Sequence, residues 1–156
     1  MMTFRRFESF YPASEKAPLI EKFFHKVRVD EVDACGVVWC VRYASYFEQG
    51  RGKWGQKFGF CYQDMIQNGF AMPIVQFHAD YYHPLRLNET LCIQTQCLWT
   101  EGAKMNFRYQ IDTENNTLAV QGYTIQIFTD LAGKLMVIRP EFAEKFFQKW
   151  DRNLQK

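Results

Sequence analysis

The chain has 156 residues, 47% of them hydrophobic and 17% aromatic, with a formal net charge of +2. That length and apolar content suit a single domain with a real core, and so small a charge gives no electrostatic case for nucleic acid, although an anionic small molecule met by a few local cations is compatible with it. No apolar run approaches the roughly 20 residues that span a bilayer, and the N-terminal MMTFRRFESFYPASEKAP holds no signal-type apolar core, so the expected location is cytoplasmic.

Residues 1–20 mix aromatic and charged side chains around Pro12 and Pro18 and read as an extension without regular structure, with Phe10 and Tyr11 available to dock on the domain at 21–156. Alternation from Phe23 to Val29 predicts a first strand, on which His25 reads as a surface residue. An acidic pair follows, Glu31 and Asp33, then Gly36, where the chain is free to bend sharply, then the apolar run Val37-Val38-Trp39-Cys40-Val41. From Arg42 the period becomes helical. Tyr43, Tyr46, Phe47, Gly50, Trp54 and Phe58 form one stripe, predicting a helix to about Lys57 that Gly59 stops. The glycines at 50, 52 and 55 make this a poor helix by propensity, so tertiary packing must hold it, as when a sheet wraps it.

Residues 61–68 read as a short helix or loop. Beyond Phe70 the chain is strand-like: Pro73 to Tyr82 is extended, Leu91 to Trp99 and Met105 to Ile111 alternate cleanly, and Leu118 to Phe128 returns after a turn at Glu114-Asn115-Asn116. A tight connection at Ala132-Gly133 leads to Leu135–Ile138, and Pro140 opens a terminal helix to about Asn153. One early helix followed by consecutive long strands is an α+β pattern with an antiparallel sheet.

The chemistry concentrates where the acidic pair meets the helix. The first N–H groups of a helix lack internal acceptors and carry partial positive charge. Here Trp39, Cys40 and Val41 precede the helix, none a good cap, so those amides are open to a ligand oxygen such as a thioester carbonyl. Asp33 then attacks that carbonyl or activates a water beside it; the plain alternative is a loop acid before a buried helix that frays. Five cysteines, at 35, 40, 61, 92 and 97, form no C-x-x-C, and no metal spacing links them to His25, His78 or His83. They read as reduced, mostly buried thiols, with Cys35 or Cys40 as an alternative nucleophile; no metal or cofactor is expected.

The segment Glu31-x-Asp33, Ala34-Cys35-Gly36, Val37-Val38-Trp39, Tyr43, Glu48-x-x-Arg51 resembles the signature of the hotdog-fold acyl-CoA thioesterases of the 4-hydroxybenzoyl-CoA thioesterase family. It departs in having Glu31 where Asp is usual, Val32 where Thr is common, and Cys40 where Tyr or His often stands. Phe70-Ala71-Met72-Pro73-Ile74-Val75 and Asp80-Tyr81-Tyr82-x-Pro84-x-Arg86-Leu87 resemble the family's second signature region. The resemblance implies a long central helix wrapped by an antiparallel sheet, Asp33 as the catalytic acid, and the backbone N–H of Cys40 polarising the carbonyl. It also puts Tyr43 in the catalytic set, Trp39 and Glu48 against substrate, and a homodimer or homotetramer with sites at the seam.

The function implied is hydrolysis of an acyl- or aroyl-CoA thioester. The FAMPIV and D-Y-Y-x-P segments resemble the branch acting on 1,4-dihydroxy-2-naphthoyl-CoA in quinone biosynthesis. A general fatty acyl-CoA or acyl-carrier-protein thioesterase is the alternative. A dehydratase would want a catalytic His in a motif that is missing here, and a non-enzymatic acyl-binding module would have no use for Asp33. Arg86 and Lys104 are the candidate cations for the CoA phosphates, each otherwise an ordinary solvated charge. Glu48 stands at i−3 to Arg51 and so also suits a simple helix ion pair.

Overall fold

The computed structural model describes residues 14–155, so Phe10 and Tyr11 lie outside the described residues. The strands are β1 (Leu19–Lys26), β2 (Phe70–Ala71), β3 (Ile74–Tyr81), β4 (Thr90–Leu98), β5 (Lys104–Thr113), β6 (Leu118–Ile127) and β7 (Thr129–Asp130). The helices are α1 (Arg42–Phe58), α2 (Tyr62–Gln67), α3 (Glu141–Gln148) and α4 (Trp150–Asn153), with a 3-10 turn at Val29–Glu31. Five strands form one sheet in the order β1-β4-β5-β6-β3, every neighbour antiparallel, and β2 pairs with β7 beside it. With α1 held against the inner face, this is the hotdog arrangement that the sequence resemblance implies.

The alternating strands bury the faces their patterns mark. Leu91 and Ile93 on β4, Phe107, Tyr109 and Ile111 on β5 and Val120 on β6 all turn inward. They meet the predicted stripe of α1, where Tyr43, Tyr46, Phe47, Trp54 and Phe58 are buried. The Phe47 ring stacks on Tyr109 with centroids 4.2 Å apart, and Trp54 meets Phe107 edge-on at 5.0 Å. Two glycines set how closely these layers approach. A Cβ on Gly50 would lie 2.2 Å from Thr95 Oγ1, and one on Gly122 would lie 2.4 Å from the Phe47 ring. Without them α1 would ride higher and its aromatic stripe would lose the sheet. Gly59 ends α1 in the left-handed conformation, its N–H bonded to the Gly55 carbonyl at 2.9 Å.

Four sequence expectations change. The first strand starts at Leu19, within the segment read as an extension, because it pairs with β4 along its whole length, Leu19 opposite Cys97. The Leu19 carbonyl also accepts Trp54 Nε1–H at 3.0 Å. His25 is not a surface residue: its inner-face ring lies 5.1 Å from Tyr46 and bonds Glu31. The terminal helix breaks at Lys149 into two pieces. Of the five thiols, all free, only Cys97 is buried; Cys35 and Cys40 are exposed.

One carboxylate ties β1, the 3-10 turn and α1 together. Glu31 is 3% exposed and accepts from His25 Nε2 at 2.8 Å, the Arg28 backbone N–H at 2.9 Å and the Tyr46 hydroxyl at 3.1 Å. Burial by itself would raise its pKa; the Arg28 N–H, His25 and Tyr46 outweigh that and hold it below its ordinary value. Burial and the neighbouring Glu31 charge push the Tyr46 phenol up, which keeps it protonated as a donor. Because the folded value of Glu31 is lowered, its contribution to stability is present above the ordinary carboxyl value of 4.5 and is lost as pH falls from there through the folded value. Glu31→Gln is therefore expected to lower the unfolding free energy at neutral pH by about 1–3 kcal/mol and to flatten its fall in acid. Denaturant titrations of both proteins between neutral pH and pH values below the ordinary carboxyl range check both parts; an equally steep acid limb in the variant would assign that limb elsewhere.

Candidate active site

The segment after Glu31 folds back on itself. Val32 and Val38 bridge antiparallel, the Asp33 N–H donates to the Val37 carbonyl at 2.8 Å, and the Gly36 N–H donates to the Asp33 carbonyl at 2.9 Å. Gly36 makes the turn at φ +73°. The Asp33 carboxylate locks the loop from inside: Oδ1 accepts the Cys35 N–H at 2.8 Å and the Val37 N–H at 3.2 Å. Its other oxygen, Oδ2, takes no hydrogen bond among the described residues, and the residue is exposed. A carboxylate fixed through one oxygen and open at the other suits attack or proton abstraction.

The loop runs directly into α1. The Trp39 N–H donates to the Glu31 carbonyl at 3.1 Å and the Arg42 N–H to the Trp39 carbonyl at 2.9 Å. No side chain caps the helix at Val41, and the N–H groups of Cys40 and Val41 have no acceptor among the described residues. The uncapped start expected from sequence is therefore present, on the same loop as Asp33. Behind it, the Tyr43 and Tyr81 rings meet edge-on at 4.9 Å, and the Tyr81 hydroxyl reaches toward the Cys40 carbonyl at 3.5 Å. Burial pushes Tyr43 up to about 12, with Tyr81 adding to it, so its phenol is protonated at neutral pH and serves as a donor or wall rather than a base.

The other candidates separate. Trp39 is 52% exposed beside the loop. Arg86 sits next to it through the Val37–Arg86 bridge, with its own N–H taken by Glu89 Oε2 at 2.9 Å. Glu48 lies further along α1, bonded to the Arg51 guanidinium and the Tyr62 hydroxyl. Arg51 is buried and continues the chain of bonds to the Tyr109 hydroxyl at 2.9 Å, which meets Thr124 Oγ1 at 2.8 Å. Within one chain Glu48 is thus a structural ion-pair partner, as its spacing to Arg51 suggests. Lys104 opens β5 opposite Ile127, whereas the segment carrying Arg86 leaves the sheet beside Ala119. Those two points of β6 are separated by roughly 26 Å at the usual strand rise, so Lys104 does not join Asp33 within the chain.

Sequence reading does not place the cavity that lies on the flank of α1. It has a volume of about 360 Å³ and is walled by Arg51, Trp54, Tyr62, Met65, Met72 and Gln126 among others. It continues into an open groove that reaches Glu48, Ile74 and Leu131. From the helix start to Arg51 is about 14 Å along the axis, and Phe47, wedged between Tyr109 and Gly122, fills the interior between. The available signal was the inward-facing positions of β6, where polar Thr124 and Gln126 follow Val120 and Gly122.

The chain is 28% identical to YneP of Bacillus subtilis over 131 residues, covering 84% of this chain and 92% of that one. It is 27% identical over 105 residues to the acyl-CoA thioester hydrolase YbgC of Escherichia coli, covering 67% of this chain and 78% of that one. The structure superposes on the DHNA-CoA thioesterase of Staphylococcus aureus with a TM-score of 0.73 at 23% identity, over 87% of this chain and 89% of that one. The family model of the thioesterase-like superfamily matches residues 27–146, from the end of β1 through most of α3. With its acidic loop, uncapped helix and strands β2 to β7 all inside that span, the chain belongs to the thioesterase-like superfamily and is a thioester hydrolase.

Proposed function

We propose that the chain hydrolyses an acyl- or aroyl-CoA thioester to the free acid and CoA, with Asp33 as nucleophile or general base. The carrying observation is the Asp33 carboxylate, bound through Oδ1 and, among the described residues, open at Oδ2, on the loop whose Cys40 and Val41 N–H groups have no acceptor among those residues. Those amides stabilise the oxyanion that forms as the carbonyl is attacked. The carbon–sulfur bond then breaks and CoA leaves as its thiol. Arg86, exposed next to the loop, is a candidate cation for the CoA phosphates.

Among the described residues Phe47 fills the interior between Asp33 and the cavity, and β3 supports a route through a second copy. β3 is an edge strand with Ile74, Val75, Phe77 and Tyr81 exposed. Antiparallel pairing with β3 of a second copy sets the Tyr81 end, which adjoins the Cys40 loop, against the Ile74 end, which borders the open groove. In such a homodimer the Asp33 of one copy serves the cavity of the other. Lys104, far from Asp33 in its own chain, is a candidate phosphate cation only across such a seam.

The finer reading is an aroyl group, with 1,4-dihydroxy-2-naphthoyl-CoA as the best candidate. Four aromatic residues among the cavity walls, Trp54, Phe60, Tyr62 and Phe107, suit a ring. The sequence segments from Phe70 to Leu87 and the S. aureus relative's name point the same way.

Asp33→Asn is expected to leave the fold and binding intact while lowering kcat by roughly 10²–10⁴; wild-type turnover would rule out the mechanism. Single-turnover reaction in ¹⁸O-water separates the two roles, since only a nucleophilic Asp33 acquires label in its carboxylate. Cys40→Ala is expected to keep kcat within about twofold, since the backbone donor survives the change; inactivation would move the chemistry to sulfur. Gly52 borders the cavity with open space where a Cβ would stand, so Gly52→Trp should block it. Mixed Asp33→Asn and Gly52→Trp chains should then recover about a quarter of wild-type activity, half the dimers being hybrids with one good site of two. No recovery from hybrids shown to form would mean that each site belongs to one chain.

A further inference from the structure

We propose that Gln126 sets substrate choice, accepting a hydrogen bond from a neutral hydroxyl on the ring of the acyl group. This rests on the thioesterase reading for the reaction but on the cavity alone for the contact.

Gln126 is 4% exposed and stands on the inner face of β6, opposite Met105 on β5 and Ile74 on β3. Its side-chain Nε2–H donates to the Met72 carbonyl at 2.8 Å, which fixes which end of the amide is oxygen. The oxygen, Oε1, is buried and has no donor among the described residues. The residue forms part of the wall of both the inner cavity and the open groove. An orphaned buried acceptor is costly, and a ligand that donates to it recovers what the folded protein alone leaves unmade.

The surroundings restrict the donor. Trp54, Phe60, Met65 and Phe107 make most of the wall apolar. Arg51, the charged group in that wall, disfavours an ammonium or other cationic donor close by. A neutral O–H on a ring fits both conditions, and about 360 Å³ lies at the small end of ligand cavities. A site built to hydrogen-bond a hydroxyl rejects the analogue that lacks it, because the protein acceptor is then stranded.

The test compares 2-naphthoyl-CoA, its 4-hydroxy derivative and its 4-methoxy derivative on the wild-type protein and on Gln126→Met. Wild type is expected to favour the hydroxy substrate by roughly ten- to hundredfold in kcat/KM, and the methoxy compound, with no proton to donate, should lose that advantage. In Gln126→Met the hydroxy preference should fall to about unity while hydrolysis of the unsubstituted substrate persists. A wild-type protein indifferent to the hydroxyl, or a preference unchanged in Gln126→Met, would overturn the assignment. The wild-type hydroxy–methoxy comparison decides the matter even if the variant does not fold. If wild type hydrolyses none of the three, the thioesterase reading fails separately. Calorimetry with the free naphthoic acids then decides the contact: about tenfold tighter wild-type binding of the hydroxy acid than of the other two supports it, and equal binding overturns it.

Discussion

The buried Glu31 carboxylate is the constraint on which the Asp33 loop depends. A carboxylate out of water is tolerated only where donors surround it, and here they come from three separate places: His25 on β1, the backbone at Arg28 and Tyr46 on α1. Meeting that requirement brings the end of β1 against the second turn of the helix. The chain between them, only ten residues from Val32 to Val41, must then close within a fixed gap. The Asp33 loop is how it closes. The first acid of the pair builds the platform, and the second is left facing solvent.

This division explains what the sequence makes visible and what it hides. Helix α1 and strands β4 to β6 are legible because each buries one face, and one-sided burial writes its period into the residues. Gly36, the uncapped helix start and Asp33 are legible because local backbone geometry demands particular residue types. The role of Glu31 is not, since a buried and an exposed glutamate look alike until the elements around them are placed. His25 misleads for the same reason: strand alternation gives its face, but not which face is covered. The separation of Lys104 from Asp33 is a matter of which end of a strand each occupies, and spacing along the chain carries no such information. Gln126 could have been noticed as a polar residue at an inward position, but only the cavity gives that position a meaning.

Inside the fold, function and packing compete for the same helix face. The aromatic stripe of α1 fills the interior from Tyr43 to Phe58, and Phe47 in particular fills the space between the Asp33 loop and the cavity. The polar residues on the far side of that ring, Glu48, Arg51, Tyr109 and Thr124, satisfy one another in a single run of contacts. Such a run holds its members rigidly. Only Arg51 of that run reaches the cavity wall, so the cavity meets the run at one fixed cation among methionine and aromatic side chains.

The free edge of β3 has a consequence for the life of the chain before it functions. Natural sheets guard exposed edges with prolines, lysines or bulges that discourage chance partners. Along Ile74–Tyr81 the guards are sparse: a register irregularity between Ile74 and Gln76 and the charge of Asp80, with no lysine or proline in the strand. The same backbone groups that would recognise a second copy would also accept any other extended segment, including that of a half-folded neighbour. On the proposed pairing, newly made protein at high concentration faces a race between that pairing and aggregation, decided by how soon Ile74–Tyr81 is covered.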